Sequence, residues 1–498
     1  MPDCRAPASS SVATAADVAV AAPARPPWLG LAVLLLAGFV TIFDLFVVNV
    51  AIPSMQATLE ASLSQVGLVV AGYELAFGVL LIAGGRLGDR HGRRRLFVVG
   101  MAGFALASAL CGLAPDAGAL IAARVLQGLA AALLFPQVYA SIRVHFEGAA
   151  ARRAFGLLGM TLGLAAIAGQ VLGGWLVHAD IGGLGWRTIF LINVPIGVLA
   201  IAMARLVPES RAPERPTLDW GGVALVSAGL GLWLVPLLEG PAHGWPAWML
   251  VALVAGTGLL AMFARHQIRR RLCGEDPLVD MRLLCDRQFA IGGLLVLLVY
   301  STSSSFFLCF ALLVQSGLGL DPMTAGLLFA PCSVGFVLAS LSAPRLVARF
   351  GPVALAVAAV VYAASLAWLV GQVHSAGGAL SPAHLVPTLV VVGAAQGLIM
   401  TPLLNLVLGT VDAARAGMAS GVISTLQQVG AAFGVAIVGM VFGAALSGAV
   451  GDDLRARYAD AFVAGMACNV VAAFVAALLL RRLARSSGQG RETEPPAS

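Results

Sequence analysis

The sequence GRLGDRHGRRR, residues 85–95, lies between two long apolar runs and contains five arginines, three glycines and one aspartate. Only 11% of the chain is charged, so this density of arginine indicates a segment at a membrane surface rather than inside the bilayer. A simple basic anchor at a helix end would need neither the glycine spacing nor the acid. The stretch therefore predicts a structured loop whose arginines set the orientation of the chain.

The composition is that of an integral membrane protein. Of the 498 residues, 59% are hydrophobic, whereas a soluble protein carries about 25% charged residues. The chain contains no lysine, and all 30 of its basic residues are arginines. This excludes a phosphate-binding loop of the GxxxxGK[ST] type and a lysine Schiff base.

The sequence contains no constellation typical of an enzyme or a metal site. Its seven cysteines show no paired spacing, so we expect neither a disulfide framework nor a metal ion. HExxH and a convincing nucleophile elbow are absent as well. The net charge of +6 does not imply nucleic acid, because the arginines follow the membrane topology. We expect no catalytic residues, no obligate protein partner and a lipid bilayer as the surroundings.

Apolar runs long enough to cross a bilayer recur along the whole chain. A spanning helix needs about 20 apolar residues, and on that rule the sequence predicts fourteen spans. Pro236, Pro241 and Pro246 interrupt the seventh and eighth. The predicted spans are 29–51, 66–85, 96–114, 118–141, 154–177, 187–207, 220–239, 247–265, 288–313, 323–343, 353–372, 384–408, 417–446 and 461–480.

The arginines indicate which way the chain faces. All but four of the 30 lie in the tails or in loops on the side of residues 85–95. The exceptions are Arg124 within the fourth span and Arg187, Arg455 and Arg457 on the opposite side. Short arginine-rich loops stay in the cytoplasm, and an even number of spans puts both termini on one side. We therefore predict cytoplasmic termini, with 1–27 and 483–498 as disordered tails.

A weak internal repeat divides the chain. RLGDRHG at 86–92 is echoed by RLVARFG at 345–351, and the dipeptide Gln-Gly of span 4 recurs in span 12. The order of the matches predicts two halves of six spans each. We expect six-helix bundles over 28–210 and 273–482, with two inserted spans over 211–272, since parallel six-span repeats are a known membrane architecture.

Four groups of residues carry a more specific resemblance. They are Gly85, Leu87, Asp89, Arg90, Gly92 and Arg93; Leu120, Arg124, Gln127 and Gly128; Asp44 with 47–53; and Trp186 and Arg187 with 190–195. Together they resemble motifs of the major facilitator superfamily, specifically its 14-span branch of drug/proton antiporters, from about Trp28 to Arg482. One position departs from the family pattern: Gln170 stands where the antiporter motif of span 5 has a proline. A proline would bend the helix, whereas Gln170 adds a polar amide.

The resemblance implies an all-α polytopic membrane protein with the major facilitator fold. It implies proton-driven efflux of small amphipathic organic compounds, such as drugs or antibiotics, across the plasma membrane by alternating access, with the proton as coupling ion and no other cofactor. Alternatives on the same fold are a narrow-specificity exporter or importer of one metabolite and a transport-dead membrane sensor.

Three charged residues lie inside predicted spans. At 1.5 Å per residue, Asp44, Glu74 and Arg124 each lie roughly 9–12 Å below the outer face, so spans 1, 2 and 4 place them in one layer. Charges at that depth are costly unless they are paired or face a cavity. Two acids and one arginine leave one acid imperfectly compensated, and we expect these residues to carry and release the proton. The alternative is a static Asp44–Arg124 pair that only fixes helix packing.

Polar and aromatic residues in the spans are candidates for lining a substrate cavity. Amide and hydroxyl groups offer hydrogen bonds, and an aromatic wall suits a greasy, loosely specified ligand. The alternative is that they stabilise contacts between helices. The candidates are Asn49, Tyr73, Gln127, Gln170, Tyr300, Phe306, Phe310 and Gln427.

Two glycine-containing segments complete the predictions. In span 5, small residues allow helices to approach closely, and we expect this of Gly163, Gly169, Gly173 and Gly174. At the cytoplasmic side, the resemblance implies a gate formed by Gly85, Asp89, Arg90, Gly92 and Arg93. Its acid would pair with loop arginines or with a helix N-terminus of the other half. The second copy of the repeat has Ala348 in place of Asp89, so the gate is predicted to be asymmetric.

Overall fold

The computed structural model describes residues 28–212, 217–351, 353–376, 379–409, 411, 416–448 and 453–489. This part of the chain contains fourteen helices long and apolar enough to cross a membrane, which confirms the predicted number. They are α1 (Trp28–Leu59), α2 (Leu63–His91), α3 (Arg93–Gly112), α4 (Ala117–His145), α5 (Gly148–Ala179), α6 (Gly185–Leu206), α7 (Trp220–His243), α8 (Ala247–Leu272), α9 (Arg287–Gly317), α10 (Pro322–Phe350), α11 (Val353–Ala376), α12 (Pro382–Leu408), α13 (Ala416–Gly448) and α14 (Leu454–Gln489).

The predicted tails fall mostly beyond this range. Residues 1–27 lie outside the described residues, as do residues 490–498. The last helix continues to Gln489, so the first part of the predicted tail 483–498 is helical. A short helix, Met281–Cys285, connects α8 to α9.

Side chains that accept hydrogen bonds from free N–H groups begin several helices. Ser62 forms a capping box with Gln65 at the start of α2. The carboxylates of Asp116, Asp219 and Asp286 accept backbone N–H groups at the starts of α4, α7 and α9. A capping residue satisfies donors that the first helical turn leaves free. The helix starts are therefore encoded locally, at the polar residues between apolar runs.

The stretch 85–95 is helical except at Gly92, so the prediction of a loop there is wrong for residues 85–91 and 93–95. Helix α2 continues to His91, and α3 begins at Arg93. Only Gly92 leaves the helical conformation, with a φ of 111° that favours glycine. Gly84 and Gly88 let α4 approach the end of α2, where a Cβ at Gly88 would collide with Gln137.

Helix pairing repeats between the two parts of the chain. In the first six helices, α1 packs against α5, α2 against α4, and α3 against α4 and α6. In the last six, α9 packs against α13, α10 against α12, and α11 against α12 and α14. Equivalent helices therefore make equivalent contacts, which gives two six-helix bundles. The helices α7 and α8 pack mainly against each other.

The two bundles meet along two seams, α2 with α13 and α5 with α10. In the first seam, Thr425 Oγ1 donates a hydrogen bond of 3.0 Å to the carbonyl of Gly78. In the second, the outer end is closed: a Cβ at Gly174 would collide with the carbonyl of Pro322. Nearer the cytoplasm, Gly156 and Gly159 of α5 have open space at their Cβ positions. The α5–α10 seam is thus tight on the outer side.

Candidate functional site

A buried ion pair joins α1 to α4. Arg124 Nη1 donates to Asp44 Oδ2 at 2.6 Å, and the two side chains are 1% and 0% exposed. Arg124 Nε also donates to the carbonyl of Val69 on α2 at 3.1 Å. A buried pair is tolerated when its remaining hydrogen-bonding groups are satisfied. The structure therefore brings the predicted Asp44 and Arg124 together and ties three helices of the first bundle.

Amide groups complete the shell around the Asp44 carboxylate. Gln127 Nε2 and Asn193 Nδ2 both donate to Asp44 Oδ1, at 2.8 and 2.9 Å. Both amides also donate to Ser108 Oγ, at 2.6 and 3.2 Å. Gln127 Oε1 accepts from Arg124 Nη1 at 2.6 Å. Asp44 is thus held by a cation and two amides, so Gln127 acts within this network in addition to its predicted place at a cavity.

Sequence reasoning missed Ser108 and Asn193 as members of this network. Asn193 stands in the motif at residues 190–195, and a polar amide inside an apolar span was the available signal. It is fully buried on α6. Ser108 is a small hydroxyl in an alanine-rich helix, and sequence pattern alone does not distinguish it from a packing residue.

An aromatic ring covers the guanidinium from the other side. The Arg124 Cζ atom lies 4.1 Å from the centroid of Tyr73 and 5.6 Å from that of Phe190. Such stacking stabilises a desolvated cation. The Tyr73 hydroxyl is buried and has no hydrogen-bond partner among the described residues. Tyr73 therefore contacts the charged network through its ring, while its hydroxyl stays available.

Glu74 follows Tyr73 directly but faces the second bundle. It is 3% exposed, and Ser304 Oγ of α9 donates to its Oε1 at 2.7 Å. Its Oε2 atom has no hydrogen-bond partner among the described residues, and the ion pair of Arg124 is made with Asp44. Glu74 therefore lies outside the ion pair of Asp44 and Arg124. Asp44 is paired with a cation, whereas Glu74, placed between the bundles, has no ion pair among the described residues.

The remaining polar candidates fall into two groups. The Oδ1 atom of Asn49 and both amide atoms of Gln170 are buried without a partner among the described residues. In the second bundle, Gln427 Nε2 donates to the Tyr300 hydroxyl at 2.7 Å. Buried polar atoms are nearly always satisfied, so the free atoms of Asn49 and Gln170 are available to a ligand. Their role in binding a substrate stays a prediction.

Phe306 and Phe310 lie in the interior of the second bundle. They are 1% and 0% exposed, and they stack on each other with ring centroids 5.4 Å apart. Phe310 also contacts Phe329 and Phe462. In this conformation they form a packed aromatic cluster, and their place at a substrate cavity stays a prediction.

The glycines of α5 contact two different helices. A Cβ at Gly173 would come within 2.6 Å of Val47 Cγ2 on α1, and Gly169 also packs on α1. Gly163 and Gly174 instead face α10 across the seam. The GxxxG pair 169/173 therefore holds α5 inside its bundle, and the other two glycines lie at the interface between bundles.

Asp89, on the side predicted to be cytoplasmic, contacts its own bundle. Arg93 Nη2 lies 2.7 Å from Asp89 Oδ1, an i,i+4 ion pair across Gly92. The N–H groups of Ala212 and Arg93 bond to the carbonyls of Asp89 and Ser210. Of the two predicted partners for Asp89, the structure thus shows an arginine of the stretch 85–95, Arg93, which is the first residue of α3. Arg90 is exposed, and Gly85 lies 3.8 Å from Pro136 measured from an added Cβ.

The sequence also matches a known family. The profile described as Major Facilitator Superfamily matches residues 34–435, which is most of the chain. The chain belongs to the major facilitator superfamily. This protein of the superfamily is a membrane transporter and not an enzyme, as the sequence predicted.

Curated relatives of this major facilitator protein include antibiotic exporters. The probable actinorhodin transporter of Streptomyces coelicolor is 41% identical over 417 residues, which cover 83% of this chain and 72% of that protein. The cephamycin export protein CmcT of Amycolatopsis lactamdurans is 35% identical over 463 residues, covering 91% and 92%. This major facilitator protein is therefore similar to an antibiotic transporter over 83% of its length and to an antibiotic export protein over 91%.

Solved structures agree with the fold of the superfamily. A bacterial homolog of the human lysosomal transporter Spinster, in an inward-facing and unoccupied conformation, matches with a TM-score of 0.67 and 17% identity. The match covers 95% of this chain and 99% of that one. At this identity the likeness establishes the fold and nothing finer.

Proposed function

We propose that this protein exports small amphipathic organic compounds across the plasma membrane in exchange for protons. The exporters named above support the direction of transport and an organic antibiotic-like substrate. The two bundles, joined along α2–α13 and α5–α10, provide the parts that alternating access requires. The arginine-rich face predicted to be cytoplasmic supports placement in a plasma membrane.

One observation supports the proposed coupling of transport to protons: Glu74 is a buried acid at the interface between the bundles. It has a single hydrogen bond, from Ser304, and no cation paired with it among the described residues. An isolated carboxylate inside a membrane is costly as an anion, and binding a proton removes that charge. Because the partner is on the other bundle, any movement between the bundles changes the surroundings of Glu74.

Asp44 has a second role in this proposal. Its carboxylate is held by Arg124, Gln127 and Asn193, so its charge is compensated in the conformation described. A proton on Asp44 would weaken the pair and free Arg124 to attract another anion. Asp44 and Glu74 would then share proton carriage, with Glu74 as the more accessible site and Arg124 as the group that drives release.

The export proposal is tested by accumulation in an efflux-deficient bacterium that expresses the protein. The probes are actinorhodin, puromycin and cephamycin, which are named for relatives, together with ethidium as a planar amphipathic cation. We expect lower accumulation of at least one probe and loss of the difference when a protonophore is added. Unchanged accumulation of every probe, with the protein present in the membrane, would contradict export.

A purified system separates export from proton coupling. In proteoliposomes with an imposed pH gradient, the wild-type protein should move the probe against the concentration gradient of the probe. Glu74→Gln should abolish that response but leave probe exchange in the absence of a gradient. If Glu74→Gln and Asp44→Asn both retained gradient-driven transport, the export could still stand but its coupling to protons at these residues would not.

A further inference from the structure

The inserted helix α7 covers one of the two seams between the bundles. It packs against α2 of the first bundle and against α13 of the second. On the α2 side, a Cβ at Gly67 would come within 2.7 Å of Leu238 Cδ2. On the α13 side, the rings of Trp233 and Phe433 meet edge to face with centroids 6.3 Å apart. The α2–α13 seam therefore has a helix along its membrane-facing side.

Helix α8 packs against α7 rather than against either bundle. Gly256 and Gly229 approach each other closely between α7 and α8, and Trp233 Nε1 donates to Thr257 Oγ1 at 3.3 Å. Much of α8 faces outward, with Val251 and Val254 65% and 74% exposed. Small residues at such a contact allow close backbone approach. The pair α7–α8 is thus one unit, attached to the transporter through α7 and its connecting segments.

A single side chain of α2 holds both connecting segments of the inserted pair. Arg86 Nη1 donates to the carbonyl of Thr217 at 3.3 Å, and Nη2 donates to the carbonyl of Pro277 at 2.6 Å. Thr217 precedes α7, and Pro277 follows α8. A planar guanidinium with several fixed donors suits two acceptors at once, which a lysine ammonium matches less well. Arg86 thus links both the segment before α7 and the segment after α8 to the first bundle.

A buried network of polar side chains connects the segment before α7 to the segment after α8. Gln267 of α8 is 1% exposed, and its Nε2 donates to Asp219 Oδ2 at 2.7 Å. Its Oε1 accepts the N–H of Leu278 at 2.7 Å. His266 Nε2 lies 2.8 Å from Asp219 Oδ1. The start of α7, the end of α8 and the segment after α8 therefore move as one body.

The attachment to the second bundle at this end is weaker. The N–H of Asp280 donates to Met418 Sδ of α13 at 3.3 Å, and a thioether is a poor acceptor. Two guanidinium–carbonyl bonds on the α2 side are stronger than one bond to sulfur, because charge-assisted hydrogen bonds exceed neutral ones. Among the described residues, which leave out 412–415 just before α13, the contacts at the cytoplasmic end are therefore unequal between the two bundles.

We infer that the inserted pair α7–α8 is a strap over the α2–α13 seam that stays with the first bundle while α13 moves beneath it. Arg86 is the positioning residue that fixes the strap to α2. The strap keeps lipid out of this seam throughout the cycle, whereas no inserted helix of the described part of the chain lies over the α5–α10 seam. This inference concerns movement of the helices and does not depend on proton coupling or on export.

The test measures distances between spin labels at the cytoplasmic helix ends in the purified, lipid-reconstituted full-length protein. Labels are placed by His91→Cys on α2, Leu272→Cys on α8 and Gly417→Cys on α13, all at exposed positions. Serine replaces Cys4, which lies outside the described residues, and the three described cysteines that are not buried, Cys273, Cys285 and Cys468, whereas Cys111, Cys309 and Cys332 are buried. The conformation is changed without substrate or protons by Gly326→Trp, because a side chain at Gly326 collides with the carbonyl of Gln170 and must open the outer contact.

We expect Gly326→Trp to move the 91–417 and 272–417 distance peaks and to leave the 91–272 peak in place. Adding Arg86→Gln should broaden the 91–272 distribution, and Arg86→Lys should restore part of its sharpness. The matched control is Arg345→Gln at the equivalent position of the repeat, where the side chain is exposed. This substitution should change none of the three distance distributions.

Two results would overturn the inference. If the 91–272 peak moved with the opening while the 272–417 peak stayed fixed, the pair would belong to the second bundle. If Arg86→Gln left the 91–272 distribution as sharp as in the parent, Arg86 would not hold the strap. Should Gly326→Trp not insert, Gly174→Trp wedges the same contact from the α5 side, where a side chain meets Pro322.

Discussion

Ser304 Oγ on α9 donates a hydrogen bond of 2.7 Å to Glu74 Oε1 on α2, so a serine of one bundle contacts a buried acid of the other. An ionised carboxylate accepts a stronger hydrogen bond than a protonated one. The strength of this contact between the bundles therefore depends on whether Glu74 carries a proton. This relationship gives proton binding a direct mechanical consequence at the interface.

Removing the hydroxyl of Ser304 should weaken the coupling between the pH gradient and transport. A hydrogen bond to a charged group contributes about 1.5–3 kcal/mol, so we expect Ser304→Ala to lower gradient-driven uptake into inverted vesicles by roughly tenfold or more. Ser303→Ala is the matched control, since Ser303 is the adjacent hydroxyl and does not bond to Glu74. Equal rates in the two variants would show that the contact is dispensable.

The two acids should differ in what they do for stability. Asp44→Asn leaves the 1%-exposed Arg124 without its carboxylate, and breaking a buried pair in this way costs about 3–5 kcal/mol. Glu74→Gln removes an acid that has no cation paired with it among the described residues, so its effect on unfolding should stay below about 1 kcal/mol. Thermal unfolding of the purified variants in one detergent checks the order. A larger loss for Glu74→Gln would reverse the assignment of the compensated acid.

The sequence predicted the charged centre because its members are polar residues inside apolar spans. The depth of Asp44 and Arg124 from helix ends placed them in one layer, and the structure pairs them at 2.6 Å. The same reasoning placed Glu74 beside them, yet it faces α9. Residues 73 and 74 are neighbours about 100° apart on a helix of 3.6 residues per turn, so adjacent side chains reach different bundles. Depth along a helix is readable from sequence, but the direction around it depends on packing.

The attachment of the strap to α2 could not be predicted from the sequence, for a different reason. Arg86 was one arginine among five in residues 85–95, and its partners are backbone carbonyls at Thr217 and Pro277. Carbonyl groups carry no sequence signal, so contacts to them are invisible until the fold brings the segments together. The extent of α2 was misread for a related cause, because glycines near a helix end often mark a turn but here serve close packing on α4.

Gly92 should tolerate a side chain poorly. Its φ is 111°, and a Cβ there would approach the Glu209 carboxylate to 2.8 Å. A non-glycine residue in such a conformation costs about 1–3 kcal/mol, so Gly92→Ala should lower the midpoint of thermal unfolding. Gly148→Ala is the control, because its φ is also positive, at 53°, but nothing lies within 4 Å of its added Cβ. An equal loss in both would attribute the effect to backbone strain and not to Glu209.

Asp89→Asn should affect turnover more than stability. The Asp89 and Arg93 side chains are 35% and 12% exposed, and partly exposed ion pairs of this kind contribute about 0–1 kcal/mol. We expect normal membrane insertion and near-normal thermal unfolding, with a reduced maximal rate of probe export. The measurement compares the rate with the amount of protein in the membrane. Wild-type turnover in Asp89→Asn would limit residues 85–95 to an anchoring role.

Asp219 should make a contribution to stability that is constant near neutral pH. Burial raises its pKa, but hydrogen bonds from His266, the Gly222 N–H and Gln267 outweigh this and hold the pKa below the ordinary 3.8. Because folding lowers this pKa, the contribution is fully present above 3.8 and is lost only as pH falls through the lower value of the folded state. Asparagine caps a helix as well as aspartate does, so Asp219→Asn removes the charged acceptor of His266 and Gln267 rather than the cap. We therefore expect it to destabilise the protein by about 1 kcal/mol at neutral pH.

The difference in unfolding midpoint between wild type and Asp219→Asn should stay level from neutral pH down to about 4 and shrink in stronger acid. Intrinsic tryptophan fluorescence measures it, since Trp220 and Trp233 lie on α7 itself. A difference that already shrank between about pH 7 and 6 would contradict this assignment, because a carboxylate whose pKa lies below 3.8 stays ionised throughout that range.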